Sequence, residues 1–193
     1  METQKKEPTK IQRVLTGKYG ESGLGVFSFA ESSFLPVFTD PLVIAMVIAK
    51  PQRWFRYALI ATVTSVLGGL FGYLIGAVFF ETIGRGIVTT YGLEEIFQKT
   101  QAVFNGNAIT FTLIGALTPL PYKLVAITGG LLKINVLLFV LASFVGRAIR
   151  FVAVAYITKE FGEHILKKMT WKYSLGVTAT FIGLTVYSVM LIF

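Results

Sequence analysis

Five ionisable side chains lie inside runs of apolar sequence: Glu31, Asp40, Lys123, Arg147 and Arg150. A charge near the centre of a bilayer costs about 2.5–3.5 kcal/mol or more unless it is paired or wetted, so such residues are functional candidates by default. Arg147 and Arg150 are three residues apart, which on a helix puts both on one face. Guanidinium groups bind phosphate or carboxylate through paired N–H donors. Two readings fit. In one, Arg147, Arg150 and Lys123 hold an anionic head group, and Glu31 and Asp40 are counter-charges or proton carriers. In the other, the two arginines neutralise the two carboxylates, and Lys123 is left over as an excess positive charge.

Other chemistries lack their residues. The chain has no cysteine, so thiol redox and thiolate metal sites are excluded. Its single histidine, His164, falls in a charged loop, and Asp40 is its only aspartate. A histidine phosphatase or a multi-aspartate metal-dependent transferase therefore has no ligand set. The expectation is a protein without cofactor or metal that is not an enzyme. The net charge of +8 could indicate nucleic acid. The charges gather at the ends of apolar runs, however, which is the pattern of membrane topology, so no nucleic-acid partner is expected.

The elements that must position these residues belong to an integral membrane protein: mean hydropathy is +0.69 and 54% of residues are hydrophobic. Residues 57–80 form an uncharged stretch long enough to cross a ~30 Å hydrocarbon core. Gly68, Gly72 and Gly76 give it a small-residue face for close helix packing. Residues 136–158, which carry the two arginines, and 173–193 are the other spans. Two further apolar regions, 22–49 and 108–132, are interrupted by prolines: Pro36 and Pro41 in the first, Pro119 and Pro121 in the second. Interior prolines remove a helical hydrogen bond, and broken backbone at membrane depth is tolerated only where protein or a watery cavity covers it. Each region therefore reads as helix, break and new helix. Asp40-Pro41 and Thr118-Pro119 fit an N-cap followed by proline at the first helical position. Pro121 then falls in the first turn. Tyr122 could hydrogen-bond a ligand, but packing is the simpler role. The two halves share the order interrupted region, short linker, long span, a weak repeat of the kind found in transporters.

Charge balance gives the topology. If both interrupted regions are re-entrant, the basic tail 1–20, the Lys50/Arg53/Arg56 linker and the basic loop 159–172 all face the cytoplasm, as positive charges prefer. The loop 81–107 is then outside with Lys133, the one basic exception. The predicted fold is an all-α membrane protein. It has two opposed re-entrant helical hairpins, arranged as an inverted repeat, plus about three transmembrane helices. The N-terminus is cytoplasmic and the location is the inner (plasma) membrane. Residues 1–20 form the tail, 21–160 the membrane domain, and 161–193 a basic loop and last helix. Two opposed breaks would aim two helix N-termini into the protein, an arrangement that favours an anion.

Glu31-x-x-x-x-Pro36-x-x-x-Asp40 resembles the first re-entrant motif of the DedA family, whose core is the VTT or SNARE-associated domain. The stretch from Gly115 to Lys123, followed by Gly129-Gly130, resembles its second motif, and Gly146-Arg147 the glycine of its following span. The family's arginine before the first proline is replaced here by Ala116-Leu117-Thr118, a later arginine by Lys123, and a frequent second proline by Phe38. The resemblance implies re-entrant helices and transport of a membrane lipid with a phosphate head group, undecaprenyl phosphate or a phospholipid, with proton coupling. A proton-coupled carrier of a small soluble solute or ion, and a non-catalytic assembly protein, remain alternatives. A homo-oligomer is open.

Overall fold

The computed structural model describes residues 19–33, 38–118 and 121–168, with side chains to residue 162. Pro36, Pro119, the tail before residue 19 and the expected span 173–193 lie outside the described residues.

The described chain is helical, without a strand. Helix α1 (Gly20–Ser33) and α2 (Asp40–Ala49) lead through a 3₁₀ turn (Pro51–Arg53) into α3 (Trp54–Phe79). A π-turn (Phe80–Gly84) continues α3 into α4 (Arg85–Thr90), followed by α5 (Glu94–Gly106), α6 (Ala108–Leu117), α7 (Tyr122–Leu131) and α8 (Val136–Lys168). Two helical stretches, Pro51–Thr90 and Val136–Gly162, are long and apolar enough to cross a membrane. At ~1.5 Å per residue, the 10-residue helices α2, α6 and α7 fall well short of a ~30 Å core.

α3 and α8 lie antiparallel. Tyr73 meets Phe139 near one end (ring centroids 5.4 Å), Arg147 meets Ser65 in the middle, and Tyr156 meets Trp54 near the other end (5.6 Å). The shorter helices flank this pair in a crossed pattern. α1 runs alongside α3 in the same direction: Glu21 meets Arg53 and Arg56, the Ser28 hydroxyl donates to the Ala61 carbonyl, and Ser33 to that of Gly68. α2 then returns on the α8 side, where Met46 and Val47 join Leu24, Tyr57 and Phe151 in one apolar cluster. The pair thus begins and ends at the Arg53 end of α3.

The second pair does the converse. α6 runs along α8, with Ala116 against Gly146. α7 crosses to α3, with Tyr122 against Gly69 and Ala126 against Gly72. Its two ends meet at the opposite end of the molecule, where the Asn135 amide donates to the Asn105 side chain (3.2 Å). There Lys133 pairs with Glu81 and lies over Phe80. Lys133 shares Glu81 with Arg85, whose Nη2 lies 2.7 Å from the same carboxylate.

Small residues make the crossings possible. The Gly68, Gly72 and Gly76 face serves both flanks: Gly68 lies on the backbone of Phe29 in α1, and Gly76 on that of Ile127 in α7. Gly130 of α7 returns the contact, seated on the Tyr73 carbonyl. Backbone approach of this kind is what glycine supplies in membrane helix packing. Outward-facing side chains of α3 and α8, including Leu67, Phe71, Leu141 and Phe144, are apolar and exposed.

Four local expectations are corrected. Residues 159–168, read as part of a basic loop holding His164, continue the helix α8. Thr39, one residue before Asp40, holds the N-cap position of α2, and its side chain makes no cap bond. Thr118 ends α6 instead of starting the next helix, and α7 begins only at Tyr122, after Pro121. A residue before proline is pushed out of the helical region, so with Thr118 and Leu120 both before prolines the helix waits until the second proline is passed. The segment 81–107, read as a loop, is mostly helical, and α5 lays Phe97 and Phe104 against the core.

Because Gly130 sits on a carbonyl and not on a movable side chain, Gly130→Leu is expected to cost about 3 kcal/mol or more through overpacking. Gly86, which has nothing within 4 Å of a built Cβ, should accept alanine with no loss or a gain of up to about 1 kcal/mol. Chemical denaturation in detergent, followed by helical circular dichroism, measures both.

Candidate functional site

Between the two apolar clusters lies a polar layer, about halfway along α3 and α8. On α8, one stripe reads Phe139, Ser143, Arg147, Phe151, Ala155, with both arms of the apolar core outside and the polar pair inside. On α3 the matching residues are Thr62 and Ser65, both buried. Spacing of four on α8 and of three on α3 places each set on one helix face.

Arg147 occupies the centre, with 2% of its side chain exposed. Its Nε donates to Ser65 Oγ at 2.6 Å and its Nη2 to Ser32 Oγ at 3.3 Å. Tyr122 and Phe151 flank the guanidinium, each ring centroid 4.8 Å away. Glu31 provides the opposite charge at 3.7 Å, an ion pair without a hydrogen bond. The Glu31 carboxylate itself spans the first break. It accepts the Thr39 amide at 3.0 Å and also the Thr39 hydroxyl, tying the end of α1 to the start of α2.

Arg150, one turn along, connects the two breaks directly. One arm pairs with Asp40, in the first turn of α2; the other donates to the carbonyl of Thr118, the C-cap residue that follows α6, at 2.7 Å. Both contacts are electrostatically apt. Thr118 presents one of the carbonyls that a helix end leaves unpaired, at the negative end of the α6 dipole. Asp40 sits at the positive end of α2.

Four of the five sequence candidates, Glu31, Asp40, Arg147 and Arg150, are thus brought together. Pro41 lies in the first turn of α2, and Pro121 stands immediately before α7. Lys123 is not drawn in: it is half-buried in the first turn of α7 and makes no ion pair among the described residues. Tyr122 is a packing residue, stacked on Phe139 and hydrogen-bonded to Ser143. Sequence reasoning missed Ser32, Ser65, Ser143 and Thr39. Of these, only Ser143, four residues before Arg147, stands at helical spacing from a charged residue; Ser32 and Thr39 are merely next to Glu31 and Asp40, and the part of Ser32 and Ser65 is visible only once the register of α1 against α3 is known. The Thr118 hydroxyl is buried at the second break without a hydrogen-bond partner among the described residues.

The two helix starts are unequal. The α2 start has two carboxylates beside it, Glu31 and Asp40. Among the described residues the α7 start has Lys123 and no carboxylate, with its Leu124 amide turned back on the Pro121 carbonyl (2.9 Å).

A family model for the VTT domain matches residues 34–160, which hold both breaks and both arginines. The chain belongs to the VTT domain family. Glu31 and the rest of α1 precede the matched stretch, although α1 supplies Ser32 and Glu31 to the polar layer. The VTT chain is also similar to an uncharacterized protein of Haemophilus influenzae, 29% identical over 146 residues, or 76% of each chain. An uncharacterized protein of Histophilus somni is 27% identical over 164 residues, covering 84% of this chain and 85% of the relative. No solved structure matches. Membership and apolar helices together make this a membrane protein.

Removing one partner of a shielded pair leaves its charge uncompensated, a loss of roughly 3–5 kcal/mol when burial is complete. The Arg150 and Asp40 side chains retain 13% and 25% exposure. Arg150→Met is therefore expected to fall at the lower end, about 3 kcal/mol, and Asp40→Asn added to it should restore most of the loss. A double-mutant cycle by denaturation in detergent measures the coupling.

Proposed function

We propose that this VTT protein is a transporter that moves a lipid with an anionic phosphate head group, such as a polyprenyl phosphate or a phospholipid, across the membrane. The observation that carries this reading is Arg150, which touches both helix breaks at once, with Arg147 buried beside it. Each short-helix pair is read as a re-entrant hairpin, one from each side, because each begins and ends at one end of α3. The breaks then fall near the bilayer midplane, where transporter sites sit. Two arginines face two carboxylates there; Lys123, outside these pairs, adds an excess positive charge at the start of α7, with the α7 dipole and a Thr118 hydroxyl that has no partner among the described residues. A phosphate would meet Lys123, the α7 start and the arginines, while its hydrocarbon chain stays in the bilayer. Glu31 and Asp40, displaced as partners, are the groups available to carry a proton. The proposed location is the inner membrane with the N-terminus cytoplasmic.

A second reading has an observation of its own. Arg147 is so fully enclosed that its pairing with Glu31 and two serines could serve packing alone, as in an assembly protein.

Transport of a fluorescent phosphatidylglycerol by liposomes containing the purified protein separates the two. Arg150→Gln, Arg147→Gln and Glu31→Gln should each slow transport by about ten-fold or more, the loss expected when a charge-assisted hydrogen bond is removed. Wild-type rates in folded Arg150 and Arg147 variants, checked by helical circular dichroism, would leave only the packing role.

A further inference from the structure

Away from the breaks, the outer flank between α1 and α3 carries a groove of about 530 Å³, lined by Glu21, Gly25, Val26, Phe29, Ile60 and Thr64. Its volume is in the range of small-molecule sites. The floor is open because residue 25 is glycine: a Cβ there would meet the methyl groups of Thr64 and Ile60 at 3.2 and 3.7 Å. Val26 is largely exposed on the rim, and Leu59, Val63 and Leu67 continue the apolar surface along α3. The groove therefore opens onto the face that the fold offers to hydrocarbon.

One end is of different character. Glu21 accepts from Arg56 Nε at 3.0 Å and Nη2 at 2.6 Å, and from Arg53 Nη1 at 3.2 Å. Two guanidinium groups converge on one carboxylate, leaving one positive charge in excess. Both arginines are more than half exposed, and exposed ion pairs of this type are held by about 1 kcal/mol or less. They can exchange partners. A carboxylate held in this fork occupies the position that a phosphate would take, because guanidinium recognises both in the same way.

We propose that this groove docks a membrane lipid with an anionic phosphate head, its hydrocarbon chain lying between α1 and α3 and its phosphate on Arg53 and Arg56. The proposal rests on the lipid reading of the protein's function and adds a docking station at one end of α3, apart from the polar layer at mid-length. A soluble anion would use the arginines but not the groove; a neutral lipid would use the groove but not the arginines. Only an anionic lipid uses both.

The test uses the whole protein in nanodiscs with two photoactivatable probes of identical chain, a phosphatidic acid and a diacylglycerol. Cross-links are mapped by peptide mass spectrometry. Phosphatidic acid should label the segments holding Val26, Phe29, Ile60 and Thr64 about five-fold more than diacylglycerol does, the discrimination an exposed charge pair supplies. Arg53→Gln with Arg56→Gln should bring its labelling down to the diacylglycerol level, and Gly25→Leu should reduce labelling by both. Equal labelling of the wild type by the two probes would overturn the proposal without reference to any variant. Undiminished labelling after loss of both arginines would overturn it too. If the wild type labels as expected but no lipid moves in liposomes, the docking site stands and the transport reading fails. Transport with indiscriminate labelling fails the docking site alone.

Discussion

A single guanidinium, that of Arg150, holds both helix breaks. It takes the Asp40 carboxylate from one and the Thr118 carbonyl from the other. Neither break could stand alone in an apolar setting. A helix end leaves backbone groups unpaired, and each unpaired group out of water is costly. Uniting a helix C-terminus, a carboxylate at a helix N-terminus and a cation in one contact satisfies three such groups together. The position of Arg150 on α8 therefore fixes how far α2 and α6 can each run.

That demand sets the packing around it. For the breaks to reach Arg150, α1 and α7 must approach α3 closely, and this explains why glycine stands at 68, 72 and 76. The crossed arrangement follows: each short-helix pair places its first helix on its own long helix and its second on the other's. Both long helices are thus covered by both halves of the sequence. The apolar clusters on either side of the polar layer, one around Met46 and Tyr57 and one around Tyr73 and Val125, shield it from the two ends. Arg147 is held by three kinds of contact, which suits a cation that cannot shed its charge.

Much of this was legible in the sequence. Charges inside apolar runs identified four of the residues at the centre, because an apolar surrounding makes each one conspicuous. Prolines identified the breaks, because proline constrains its own and the preceding residue. The exact start of α7 was not legible: Thr118-Pro119 looks like a cap until the effect of Pro121 on Leu120 is counted. Nor was the Asp40 role clear, since a carboxylate before proline serves equally as a cap or as an ion-pair partner, and only the position of α8 decides. The serines were invisible for a different reason. Ser32 and Ser65 matter through a register between α1 and α3, and nothing in either segment alone encodes it. Lys123 shows the converse error, a conspicuous charge that has no ion-pair partner among the described residues.

The two breaks are not equivalent. The first is saturated: Glu31 binds Thr39 across it and Asp40 binds Arg150. Among the described residues, the second has a cation, a helix start and an unpartnered hydroxyl, and no carboxylate. On the proposed function, an arriving phosphate gains most at the second break, and it competes with Asp40 for Arg150 as it does so. Binding there would loosen the one contact that joins the halves. Release of the anion would let the carboxylate return and join them again. A resting state with Arg147 and Arg150 both already paired is then the natural counterpart of a site that holds an anion only briefly, since tight pairing at rest limits how strongly any ligand can bind.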